Sequence, residues 1–172
     1  MSKTQVKEKI KELLLTSKQN NNGSFNDGSE EQRNAAMLIE QAYNANHVSF
    51  DMIPSLLLAL KDIQVRDYVL GFINSQDRDT EFFFKELIKY APVGYIDAPI
   101  TLLALVYYEK YQNGKANEIL RPAVKRGYTL AMLLDRVFTA HWNPNEFNKM
   151  REVNHPLVTK KIFGGSDDNS NS

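Results

Sequence analysis

Asp62, Arg66 and Asp67 bring two carboxylates and a guanidinium together within six residues. Asp62 and Arg66 stand four apart, the spacing at which opposite charges pair on one helix face, while Asp67 projects elsewhere. In functional terms such a set holds an anion or a partner through Arg66. In structural terms Asp62 caps a helix opening at Ile63, a cap contributing about 1 kcal/mol, and Arg66 braces a neighbouring element. The structural use is favoured. His47, His141 and His155 are the only histidines, and none of them falls in an H-x-x-x-H or H-E-x-x-H spacing, so no metal site is read. His141, beside Trp142, could act as a general base in a cleft, but no serine or carboxylate is spaced to orient it. Helix C-termini favour a cationic imidazole, and an indole can anchor the following loop.

The glycines are scattered as caps and turns, with no phosphate-cradling loop, and no cofactor is expected. Arg121, Lys125 and Arg126 form a small basic face and Lys160 with Lys161 another, each too sparse and too poor in aromatics for a nucleic-acid groove. Tyr107 and Tyr111 lie four apart. Tyr107 is expected in the core, and Tyr111 is the better candidate for a recognition surface. The candidate interaction residues are therefore Arg66, Asp67, Tyr111, Arg121 and Lys125, with no catalytic set.

The elements that must position them are helical. Val6, Ile10, Leu13 and Leu14 give Lys3 to Lys18 a narrow apolar stripe. Gln19 to Gly28 has little to bury and two glycines, the composition of a linker. Ser29-x-x-Gln32 has the form of a capping box opening a helix to about Asn46. Ser49 is placed to cap the segment carrying Ile53, Leu56, Leu57 and Leu60, and a further helix runs from Ile63 to about Asn74. Asp77 to Ala91, with Phe82, Phe83, Phe84, Leu87 and Ile88, is expected to be contacted on two sides and central. Asp97 as N-cap and Pro99 in the first turn open a helix to about Gln112. Ala116 to Arg126, Thr129 to about Ala140 and a short segment from Pro144 complete the series. Alternation with period two is scarce, so the expected class is all-α, eight or nine helices arranged as tetratricopeptide-like hairpins. Residues 1–28 read as an amphipathic helix and flexible linker, 29–163 as the helical domain, and 164–172 as a disordered tail.

The chain has 172 residues, 21 basic against 21 acidic side chains and no cysteine. Disulfides, thiolate metal sites and a cysteine nucleophile are excluded, and zero net charge argues against a nucleic-acid binder that works through bulk charge. The longest apolar run, Ala98 to Tyr108, is too short for a bilayer, which needs roughly 20 residues. No secretion signal is expected at the N-terminus.

Ile100, Leu103, Ala104, Tyr107, Ala116, Leu120 and Ala123 fall at offsets of the tetratricopeptide consensus, enough for one helical hairpin and too few for a solenoid. Leu57 to Asp67, Ala98 to Ala104, Gly114 to Asn117 and Tyr128 to Leu134 together resemble, over about Ser49 to Pro144, the C-terminal half of an actinobacterial family of unknown function, DUF4192. Two departures are visible: the family's longer N-terminal α/β half has no counterpart here, and Arg126-Gly127 stands where relatives tend to carry a proline. The resemblance implies a helical fold and a bacterial cytoplasmic setting, and no reaction.

The expected function is a noncatalytic protein-interaction module with an unidentified protein partner, working through a groove between the helices Pro99 to Gln112 and Lys115 to Arg126. The alternatives are a small enzyme or enzyme remnant using Arg66 with Asp67 or His141, and a DNA-binding accessory protein.

Overall fold

Hydroxyls, carboxylates and amides at helix starts mark out the chain. The computed structural model describes residues 1–164; of the tail expected to be disordered, all but Gly164 lies outside the described residues. Among the described residues there are nine helices and no strand: α1 (Lys3–Thr16), α2 (Glu30–Asn44), α3 (Ile53–Ala59), α4 (Ile63–Phe72), α5 (Arg78–Tyr90), α6 (Asp97–Glu109), α7 (Asn113–Lys125), α8 (Thr129–Thr139) and α9 (Pro144–Phe163). The fold is all-α.

Ser2 and Gln5 make a complete capping box on α1, the Ser2 hydroxyl accepting from the Gln5 amide and the Gln5 side chain accepting from the Ser2 amide at 2.7 Å. The box expected on α2 is only half made. Ser29 accepts from the Gln32 amide, but the Gln32 side chain accepts from Gly28 N at 2.8 Å and donates to Asp62, which recruits it into the core. Asp62, Asp77 and Asn143 cap α4, α5 and α9 with their own side chains. Ser49 does not cap α3, whose N-cap residue is Met52. Asp97 is the first residue of α6 and not its cap; its carboxylate turns to Arg126 at 2.7 Å.

The central helix is α6. Every residue from Ala98 to Glu109 is buried, and α5, α7, α8 and α9 all pack against it. A helix apolar all round is a surrounded helix. The wide apolar surface of α5 had suggested that position for it, but Phe82 is exposed and only Thr80, Phe83, Phe84 and Leu87 are buried there. The buried Thr101 hydroxyl is satisfied by the Asp97 carbonyl at 2.6 Å.

The N-terminal residues lie on the same core. Val6 and Ile10 are buried where α1 packs on α3. Gln19 donates to the Gly23 and Leu58 carbonyls at 2.7 and 2.8 Å, and Phe25 N donates to Asp62 at 2.8 Å. Gly23 has φ +85, and a Cβ there would stand 2.5 Å from the Lys61 Cβ, so both the backbone angle and the close approach require glycine.

Candidate functional site

Asp62 is a structural junction. Its carboxylate accepts from Val65 N at 2.9 Å, Phe25 N at 2.8 Å and Gln32 Nε2 at 3.2 Å, tying the segment before α2, α2 itself and the start of α4 to one buried side chain. With Asp62 so occupied, Arg66 does not pair with it across the helix face. Arg66 NH2 and Nε donate to Asp67 Oδ1 at 2.8 and 3.0 Å, and NH1 donates to the Tyr128 hydroxyl at 3.2 Å. Burial raises the Tyr128 phenol above the ordinary tyrosine range even against the pull of Arg66. Burial thus favours the protonated phenol of Tyr128, whose oxygen accepts from Arg66. Arg66 itself is buried, and its guanidinium braces α4 against the start of α8.

Beyond Arg66 opens an apolar cleft of about 740 Å³ between α4, α8 and α9. Leu70, Leu130, Val137, Phe147 and Val158 line it. Leu133, Trp142, Met150 and Leu157 also line it and stay in part open to solvent, with Leu133 53%, Trp142 48% and Leu157 62% exposed. The cleft has a topological cause. Although α8 and α9 are consecutive, they scarcely touch: α8 packs on α6 and α7, whereas α9 crosses to α4, with smaller contacts to α6 and α2.

The junction that holds them apart is built from α6 and the connecting turn. Tyr108 stacks on Phe138 at 4.2 Å and donates its hydroxyl to the Trp142 carbonyl. His141 turns the chain with φ +54, its amide bonded to the Phe138 carbonyl at 3.1 Å. Trp142 itself lines the cleft and is not the core anchor expected of it. On the opposite wall His155 lies over Gly71 and against the Tyr68 ring at 5.1 Å, with Nδ1 buried and unpartnered among the described residues. Arg151 fixes α9 through a buried ion pair with Glu109 on α6.

Arg66 and Asp67 thus border the cleft, while the other candidates face solvent elsewhere. Tyr111 is exposed just past α6 with φ +61, and Arg121 and Lys125 are exposed on α7. Between α6 and α7, where a groove was expected, the two helices pack closely and Ala104, Ala116, Leu120 and Ala123 are buried. The small residues that suggested a hairpin are what let the two helices approach. Residues that sequence reasoning passed over, Leu133, Met150 and Leu157 among them, form the cleft. Their only signal was apolar side chains in excess of one buried stripe.

Among the described residues no three His, Asp or Glu side chains converge as metal ligands do, and no helix is long and apolar enough to cross a membrane. No curated protein and no solved structure matches the sequence. The model of one family, described as a domain of unknown function, DUF4192, matches residues 2–145, reaching from α1 to the start of α9 and taking in the N-terminal helices that lay outside the original resemblance. By that match the chain belongs to the DUF4192 family.

Proposed function

We propose that this chain is a noncatalytic protein-interaction module that seats an apolar helix in the cleft between α8 and α9. The observation that carries this reading is the splayed α8–α9 pair, two consecutive helices whose facing apolar side chains are left without a partner of their own. A third helix laid between them would bury Leu133, Trp142 and Leu157, the helix-in-groove mode of recognition. Two of the charged groups that line the cleft are engaged in holding the fold, Arg66 by Asp67 and Tyr128 and Arg151 by Glu109. In this reading α6 and α7 are a tetratricopeptide-like hairpin serving as scaffold, and the setting is a bacterial cytoplasm, for which a chain without cysteine is suited.

Site-specific photocrosslinking tests the reading in living cells. A benzophenone side chain in place of Leu133 or Leu157 is expected to give a discrete protein adduct, and the same group at Val93, exposed in the α5–α6 loop, is not. Equal labelling at the three positions, or none at Leu133 and Leu157, would overturn it.

A further inference from the structure

We propose that the helix received by the cleft is α9 of a second copy of this chain, in an antiparallel contact about a two-fold axis near Val153. The inference rests on the reading of the cleft as an interaction surface. It starts from one stripe along α9. Glu146, Met150, Val153, Leu157 and Lys160 follow one another at intervals of four, three, four and three residues, all exposed, and Lys161 adjoins the last; Met150, Leu157 and Lys161 line the cleft, and Glu146, Val153 and Lys160 continue the stripe outside its lining. That is the spacing of a heptad seam, which keeps side chains on one line facing a partner helix.

The three central positions are apolar, with Val153 71% and Leu157 62% exposed, although the opposite face of α9 already buries Phe147, Arg151 and Ile162. The core accounts for one face of this helix and leaves the seam unexplained.

The charges specify the occupant. The stripe carries a carboxylate at its N-terminal end and ammonium groups at its C-terminal end. A partner helix bearing one sign of charge would meet repulsion at one end. The same stripe reversed meets attraction at both. With Val153 set against Val153 of the second copy, Met150 meets Leu157 and Glu146 meets Lys160 and Lys161, and each contact occurs twice because an isologous interface repeats every pair. The seam from Glu146 to Lys160 spans about 21 Å at about 1.5 Å per residue, four turns of contact. Leu133 and Trp142, on the far side of the cleft, would flank the incoming helix and extend its apolar contact beyond a single seam.

Light scattering and sedimentation equilibrium on the whole chain test this. The wild type is expected to be a dimer and Leu157→Glu a monomer; since Leu157 is exposed, an unchanged circular dichroism spectrum and melting temperature will show that the variant is folded. Glu146→Lys is expected to weaken the dimer about tenfold, two rim pairs being lost at once, and the combination of Glu146→Lys with Lys160→Glu and Lys161→Glu to restore it. A dimer indifferent to Leu157→Glu, or a charge reversal without rescue, overturns the proposal. So does a monomeric wild type. A monomer that still forms a discrete adduct with another protein from Leu133 would sink the second copy and leave the interaction module standing; a monomer with no such adduct would sink both.

Discussion

Arg151 and Glu109 form a buried ion pair across the interface of α9 and α6. Arg151 NH2 lies 2.5 Å from Glu109 Oε1 and Nε 2.8 Å from Oε2, with the two side chains 3% and 2% exposed. Ser75 and Asn148 donate to the same carboxylate at 2.9 and 3.0 Å, while the guanidinium also reaches the Leu70 and Ile73 carbonyls at the end of α4. Three helices and a loop are held in register by one charge pair with its hydrogen bonds satisfied. Arg151→Met is expected to cost about 3–5 kcal/mol, because it strands the Glu109 charge in the interior. Adding Glu109→Gln should recover part of that loss. Urea denaturation of both singles and the double measures the coupling, and additive losses would refute it.

Asp62 serves three donors from three parts of the chain, so its loss should be felt beyond α4. Asp62→Ala is expected to cost about 2–3 kcal/mol, a lost cap of about 1 kcal/mol plus the two further donors left behind. Asp62→Asn, which keeps an acceptor, should cost less. Limited proteolysis gives the second readout, with cleavage between Asn20 and Gly28 accelerating in Asp62→Ala while the wild type resists.

At Gly71, α4 passes close to His155 of α9. A Cβ at this position would lie 2.2 Å from His155 Nδ1 and 2.8 Å from its Cβ, too near for a simple side-chain rotation to relieve. Gly71→Ala should therefore destabilise by about 2 kcal/mol through overpacking. In a His155→Gly background, which removes the Cβ as well as the ring, the same substitution should become neutral or favourable by up to about 1 kcal/mol, since only helix propensity remains. Thermal melts of the four proteins will show whether the sign inverts.

The pH dependence should be visible at both extremes. Burial, and then the hydrogen bond to the Glu40 carboxylate, hold the Tyr68 phenol far above its ordinary range, and burial raises Tyr128. A raised folded-state value contributes stability that is fully present below about pH 10, where unfolded tyrosine ionises, and is lost as pH rises beyond it. Tyr68→Phe should flatten the alkaline fall of the urea midpoint. Glu81 behaves oppositely: its bond to Lys85, reinforced by Tyr107 and opposed by burial, lowers its carboxyl. Its contribution is present above about pH 4 and disappears as pH falls through the lowered value, so Glu81→Gln should cost stability at neutral pH and nothing in strong acid.

Local signals carried the helices, and long-range choices hid the rest. Asp62 caps α4 as its place before Ile63 implied, whereas Ser49 and Asp97, read as caps by the same rule, do not cap α3 and α6. Tyr107 is buried and Tyr111 exposed, as their positions around the α6 terminus suggested. What composition could not show was competition between partners. Gln32 leaves its capping box for Asp62 and Gly28, and Arg66 takes Asp67 and Tyr128 in place of Asp62. The cleft was illegible for a related reason. Periodicity places Leu133 and Leu157 on their helices, but only the divergence of α8 from α9 leaves both in part open to solvent. Glu109 and Arg151 lie 42 positions apart, and nothing within a helical window pairs them.

The seam between α4 and α9 also sets an order of events at the ribosome. Leu70 and Arg151 are 81 positions apart, so the inner face of α4 emerges long before the helix that covers it. Since synthesis delivers the N-terminal portion first, at about 5–20 residues per second, the nascent chain must wait several seconds with Tyr68, Gly71 and the start of the future cleft uncovered. A ribosome-bound chain ending before Arg151 therefore lacks most of the helix that covers α4 and forms one wall of the cleft.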